Sequence, residues 1–291
     1  MRNLIISLVA GSLILGANAA YAEDLASTKS NLNDNTSFMD NVRFNVAGGG
    51  GYFYVKSGAD THTLGAKGFQ ASSTYNLANS FYITATGSAT FLSDAPTEMS
   101  FLNDATKYDL SLTIGKTFNP VGYVYVSPYV GVGYSDFYGK SAAIDSYANN
   151  NKMVGVIITG NAMEGGATPQ DAQAQAGAIL QNPSDTTNAA YIAGAKDAAK
   201  GIAAKELDSS VYALLGTSVV FPLSETFYLT GDINYDFNNL TTNGVTHYSG
   251  VKLGATYKFS DNVVDYVSLA FQIQQDKSKN KGYGLALNIT V

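Results

Sequence analysis

The chain has 291 residues, 45% of them hydrophobic and only 14% charged, with 29 Gly, 20 Tyr and 14 Phe but no Cys and no Trp. Absence of Cys excludes a disulfide framework, a thiolate zinc site and a thiol nucleophile, and two His exclude a His-rich metal cluster. The formal net charge of −6 lacks the basic footprint that a nucleic-acid protein needs.

In chain order, the first element is a secretory signal. Arg2 supplies the positive charge, Leu4 to Leu15 the apolar stretch, and Ala20-Tyr21-Ala22 a small-x-small cleavage site, so residues 1–22 are expected to be removed on export. A segment over 23–41 follows. No later window holds 18 uninterrupted apolar residues, so no transmembrane helix is expected.

From residue 42 onward the chain alternates with period 2, the mark of strands that present two different faces. Ten segments show it: 42–56, 64–77, 80–92, 106–118, 122–137, 209–221, 226–237, 247–259, 264–275 and 281–291. Between Phe81 and Phe91 one face carries Phe81, Ile83, Ala85, Gly87, Ala89 and Phe91. The other carries Tyr82, Thr84, Thr86, Ser88 and Thr90. In a water-soluble β-protein the large apolar face would pack inward and a Lys- and Glu-rich face would meet solvent. Here the second face is small and polar, which suits the lumen of a narrow barrel whose apolar face meets lipid. The expected fold is all-β: an antiparallel up-and-down transmembrane barrel over 42–291, of ten strands, or eight if one weak hairpin is misread. Each segment is long enough to cross a bilayer as a tilted strand.

The connections sort by length. Asn76–Ser80, Asn119–Val121, Pro222–Glu225 and Ser260–Val263 are short; Ser57–Thr63, Ser93–Ala105, Tyr138–Asp208, Asn238–Thr246 and Asp276–Asn280 are longer. Membrane barrels pair short periplasmic turns with longer extracellular loops, which makes 23–41 periplasmic. Aromatic residues flank all four short turns: Tyr75, Phe81, Tyr82, Phe118, Tyr123, Phe221, Phe227, Tyr228, Phe259 and Tyr266. They are expected to form an interfacial girdle.

The 139–208 stretch breaks the alternation. Thr168-Pro169-Gln170-Asp171 reads as an N-cap with Pro at N1, Asn182-Pro183 as a stop, and a second helix is expected over 186–206. On it Ile192, Ala195, Ala199, Ile202 and Ala203 share a face, leaving Lys196, Lys200 and Lys205 exposed. So long an insert is expected to be an extracellular loop that contacts a host, phage or environmental surface ligand, a plug folded inward, or a variable flap exposed to immune attack.

On the lumen face the register of the 226–237 and 247–259 hairpin places Asp232 opposite Lys252, a charge pair bridging the wall. Arg43, Lys107, Asp109, Asp236 and Lys258 are candidates for the same network. No Gly-x-Ser-x-Gly elbow or phosphate loop occurs, Gly48–Gly51 leads to no helix, and neither a cofactor nor a metal is expected.

With its signal peptide, the run Tyr125-Val126-Ser127-Pro128-Tyr129-Val130-Gly131-Val132-Gly133-Tyr134 and its terminal strand, the chain resembles the outer-membrane β-barrel superfamily of opacity-type porins and small surface proteins of Gram-negative bacteria. Asn280 to Leu287 is similar to the signal read by the barrel-assembly machinery, although the chain ends in Val291 rather than an aromatic residue. The resemblance covers nearly all of the exported chain outside 139–208. It implies residence in the outer membrane, with lipid and the assembly machinery as partners, but no one role, since the superfamily includes pores, adhesins, enzymes and structural proteins; the narrow lumen of ten strands, which side chains can largely fill, favours a structural, adhesive or ligand-contact role rather than an enzymatic one. A narrow passive channel is the alternative. Asp60-Thr61-His62, with Asp94 or Asp104, is weakly similar to the Asp/His site of the omptin proteases, but that family places its Asp-x-His in a late loop, where this chain has Val245-Thr246-His247.

Overall fold

This computed structural model describes residues 42–57, 60–121, 123–238, 246–259, 266–276 and 281–290. The signal peptide and the 23–41 segment lie outside the described residues.

Ten strands form one closed barrel: β1 (Val42–Ser57), β2 (Asp60–Asn76), β3 (Phe81–Ser93), β4 (Thr106–Lys116), β5 (Tyr125–Tyr138), β6 (Ser210–Pro222), β7 (Phe227–Asn238), β8 (Thr246–Lys258), β9 (Tyr266–Asp276) and β10 (Lys281–Thr290). Each strand pairs antiparallel with its sequence neighbours, and β1 closes on β10 from Asn45↔Thr290 to Tyr54↔Lys281. The alternation therefore counts ten strands, not eight. Closure leaves no edge, so every strand has backbone partners on both sides. One rim holds the short turns and the other holds the insert; these are called the turn end and the insert end below.

The first long loop is not one. The β1–β2 ladder runs up to Ser57↔Asp60, so Asp60, Thr61 and His62 are strand residues. Polar residues fall on both faces there, which hid the alternation while the backbone ladder continued.

The wall is apolar outside and polar inside. Leu110, Leu112, Ile233, Leu253 and Leu285 are 52–63% exposed on the outer face, whereas Asn45, Gln70, Thr74, Thr256 and Asn288 are at most 2% exposed on the inner one. This inverts a soluble protein and matches a lipid-facing wall. Among the described residues no helix is long and apolar enough to cross a membrane; the crossing belongs to the strands.

Phe81, Phe118, Tyr123, Phe221, Phe227 and Phe259 stand exposed at the turn end, with Tyr75 half-buried on the same outer face. Tyr82, Tyr228 and Tyr266 do not join them; all three are buried on the lumen side. The reason is the period itself: Phe81 and Tyr82, or Phe227 and Tyr228, are consecutive and must point to opposite faces. A second belt at the insert end, absent from the sequence reading, contains Tyr52, Tyr54, Phe69, Phe91, Tyr134 and Tyr283. From Phe81 to Phe91 a strand tilted by about 40° rises roughly 25 Å, the height of a barrel's apolar band.

The insert is an ordered four-helix module: α1 (Lys140–Ala148), α2 (Asn151–Glu164), α3 (Pro169–Gln181) and α4 (Thr186–Glu206). Side-chain caps start the last three. Asn150 accepts from the Lys152 N–H, Thr168 from the Asp171 N–H with Pro169 following it, and Asp185 from the N–H groups of Thr187 and Asn188. Each cap satisfies an amide that the helix leaves unpaired. Helices α3 and α4 fall where the sequence placed them, but α1 and α2 had no comparable Pro punctuation. Ala195, Ala199 and Ala203 are buried as expected and allow close helix approach, whereas Ile202 is 40% exposed and lies off that face. Lys196 and Lys200 tie α4 to the rest of the module, through Asn149 at 3.0 Å and Asp145 at 3.3 Å.

Burial raises the Glu206 carboxyl, at the end of α4, to about 7, with Lys205 opposing the shift. The folded state thus holds a proton that the unfolded chain releases near the ordinary carboxylate pKa of about 4.3. The module should therefore lose stability as pH rises from about 4.5 to about 7 and level off above that. Glu206→Gln should remove this slope and stabilise the module at pH 8. Module melting followed by helical circular dichroism would show it, and an unchanged slope in the variant would refute the assignment.

Candidate functional site

Two features distinguish this barrel: a lumen filled with polar side chains and a helical cap over the insert end.

In the lumen, Asp232 and Lys252 are direct cross-strand partners between β7 and β8. Asp232 also accepts hydrogen bonds from Tyr129 Oη at 3.1 and 3.3 Å, one to each carboxylate oxygen, and from Ser218 Oγ at 2.5 Å. The carboxylate is thus held from β5, β6 and β8 together. Nearer the insert end, Lys107 pairs with Asp109 at 3.1 Å, both buried. Asp236 lies within electrostatic range of both and accepts from Asn234 Nδ2 at 3.1 Å.

Arg43 and Lys258 sit apart from these groups. Arg43 is near the start of β1, where it donates to the Val42 carbonyl at 3.4 Å. Lys258, at the end of β8, lies 5.7 Å from the ring centre of Tyr266. Both are thus at the turn end, whereas Lys107, Asp109 and Asp236 are nearer the insert end; sequence spacing could not assign heights in the lumen across non-neighbouring strands.

The lumen tyrosines were the missed partners. Tyr82, Tyr129 and Tyr212 each lie over a glycine directly opposite on the next strand: Gly115, Gly216 and Gly133 respectively. A Cβ at any of these glycines would collide with the ring. The pairing covers exposed backbone and fixes the ring against the wall. For Tyr82 the signal was available, since the β3–β4 hairpin register places Gly115 opposite it, whereas Tyr129 and Tyr212 meet their glycines across β5 and β6, which the insert separates in sequence.

At the insert end, one apolar cluster is continuous from lumen-facing Phe53, Leu64 and Leu92, through the 3-10 turn Thr97–Leu102, into the module. Met99, Phe101 and Leu102 of that turn are at most 1% exposed, and the Phe101 and Tyr147 rings meet edge to face at 5.0 Å. The insert leaves and rejoins the barrel on the neighbouring strands β5 and β6, whereas Phe53 lies on β1 across the barrel. The apolar seam therefore crosses the mouth. Lys140 sits at both stems, 4.0 Å from Asp136 and 3.6 Å from Asp208.

The residues weighed for a hydrolytic site are distributed over three places. Asp60 and His62 belong to β2, His247 to β8, and Asp94 and Asp104 flank the 3-10 turn. Among the described residues no group of three or more His, Cys, Asp or Glu is placed to hold a metal ion.

A ten-stranded closed barrel with an apolar outer wall and a polar lumen has the architecture of a membrane-spanning β-barrel. No family model matches the chain, and no curated protein matches it. Solved structures similar to it include the translocator domain of the autotransporter NalP from Neisseria meningitidis, at 10% identity over 96% of this chain and 99% of that one, TM-score 0.39. The outer-membrane protease OmpT from Escherichia coli is similar at 11% identity over 88% and 97%, TM-score 0.34. Ail, the attachment invasion locus protein of Yersinia pestis, is similar at 11% identity over 86% and 99%, TM-score 0.31.

Proposed function

We propose that the protein is a surface barrel of the bacterial outer membrane that acts through its extracellular four-helix module, as a structural or ligand-contact surface, with the lumen serving as a packed polar core. The observation that carries this reading is the mouth. Apolar side chains from the barrel, the Thr97–Leu102 turn and the module form one buried cluster across it. The inner wall supports it, because long lumen side chains such as Gln70 and Lys252 are buried rather than lining an open bore. A general-diffusion pore would leave them wet. The terminal strand suits the barrel-assembly machinery as the route of insertion, and lipid is the partner of the outer wall.

The expected result is a silent planar bilayer. Protein that shows the heat-dependent gel shift of a folded barrel should give no unitary conductance steps. Cells displaying the full chain should bind a host or environmental surface that cells displaying a chain lacking residues 141–207 do not bind, at equal surface abundance. Stable unitary steps from the intact protein would favour the channel reading instead.

A further inference from the structure

The lumen network described above does not balance. Asp232 is matched by Lys252 across the β7–β8 ladder. Asp109 and Asp236 share one cation, Lys107, and all three are at most 8% exposed. Arg43 and Lys258 stand apart at the turn end. The surplus is one carboxylate, in a lumen closed by the apolar seam at the insert end and by the buried cluster of Val220, Tyr228 and Tyr266 at the turn end. A buried charge without a counter-charge is expensive.

A second feature lies beside the surplus. Gln70 of β2, Ser88 of β3 and Asp109 of β4 form one cross-strand row on the lumen face. Gln70 is 1% exposed, yet its Oε1 accepts no hydrogen bond. Neither carboxylate oxygen of Asp109 accepts one either, although Lys107 Nζ lies 3.1 Å from Oδ1. Gln70 and Asp109 are two strands apart, about 9–10 Å, with only the small Ser88 between them, so their side chains can meet over it. Asp236 lies within electrostatic range of Asp109 and Lys107. The row thus presents three buried acceptor oxygens beside one uncancelled negative charge.

We infer that these oxygens bind one alkali cation, Na+ or K+, held by the Asp109 carboxylate and Gln70 Oε1, with Asp236 as its second counter-charge. The ligand follows from what has to be satisfied. Water would give the three oxygens donors but leave the surplus charge. One proton would cancel the charge but supply one donor for three oxygens. A monovalent cation does both, since carboxylate and amide oxygens replace its hydration shell. A divalent ion would overshoot the charge and lie against the Lys107 ammonium. The set offers none of the His or Cys ligands that suit a transition metal.

The test is urea unfolding of the full chain in phosphatidylcholine vesicles, read by the gel shift at constant ionic strength. The salts are chlorides of Na+, K+ and N-methylglucamine, a cation too bulky for these oxygens to surround. Replacing N-methylglucamine so that Na+ or K+ rises tenfold should raise the ratio of folded to unfolded chain by up to about tenfold, for at least one of the two ions. Asp236→Asn removes the surplus charge. It should lose this dependence and fold better than the parent in N-methylglucamine, a gain that damaged packing would not produce. Gln70→Met keeps the charges and should need roughly tenfold more alkali ion for the same stabilisation. Asp197→Asn, on the exposed surface of α4, should leave the dependence unchanged. Parent stability indifferent to both ions would overturn the site, as would a dependence that survives undiminished in Asp236→Asn or in Gln70→Met. The inference rests on the packed lumen proposed above, and a planar bilayer separates the two: unitary steps defeat the packed lumen, whereas a silent bilayer with stability indifferent to Na+ and K+ defeats only the cation site.

Discussion

Replacing the buried Lys252 with Met should lower the unfolding free energy of the barrel by about 1–3 kcal/mol, the cost of leaving the half-buried Asp232 carboxylate without its cation. Asp232 keeps its bonds from Tyr129 and Ser218 in that variant, but loses the cation directly across the β7–β8 ladder. Two neutral donors do not balance a carboxylate enclosed in a barrel wall. The double variant Lys252→Met with Asp232→Asn should recover much of the loss, since an amide oxygen still accepts from Tyr129 and Ser218 without a charge to bury. Urea unfolding in vesicles, read by the gel shift of folded against unfolded barrel, measures both. Equal stability of Lys252→Met and the parent chain would remove the pair from the account of the lumen. Conductance should stay silent in all three proteins, because the proposed role of the pair is to lock β7 to β8.

How much of this was legible in the sequence depends on the range of the interaction. The Asp232–Lys252 register follows from one hairpin and needs only local counting, as do the two outward rings Phe81 and Phe227. The strand count follows from period 2, which is set by the backbone. The seat of Tyr82 on Gly115 is also local, whereas those of Tyr129 and Tyr212 join strands that the insert separates. What escaped is what crosses the barrel. Phe53 on β1, Phe101 after β3 and Tyr147 in the insert meet in one cluster, but no periodicity links residues so far apart in sequence. Helices α1 and α2 escaped for a related reason. Their buried faces, such as Met153, Val154, Ile157 and Ile158, acquire meaning only against the turn and helices they cover. Arg43 and Lys258 were grouped with Lys107 because lumen height depends on strand tilt and stagger around the whole barrel.

The second large effect belongs to that cross-barrel seam. Phe101→Ala should release the module from the mouth while leaving the barrel folded. Phe101 is 1% exposed and packs edge-on against Tyr147, so truncation should cost about 3–5 kcal/mol, including the aromatic pair. That cost falls on the docking of the module, since the ten strand ladders do not depend on it. The gel shift of the barrel should therefore be unchanged, while trypsin should cut sooner at exposed Lys152, Lys200 and Lys205. Loss of docking also frees Lys140 to leave Asp136 and Asp208, but an exposed ion pair contributes little, so Lys140→Met should hardly alter the digestion. Tyr147→Phe keeps the ring and should match the parent, whereas Tyr147→Ala should match Phe101→Ala. If Phe101→Ala resisted trypsin as well as the parent chain, the stems and the internal core of the module would be what holds it, and the apolar seam would be only a covering. If it digested quickly and also lost surface binding, contact would require the module seated on the mouth, and the seam would set the geometry of the surface that the barrel presents outside the cell.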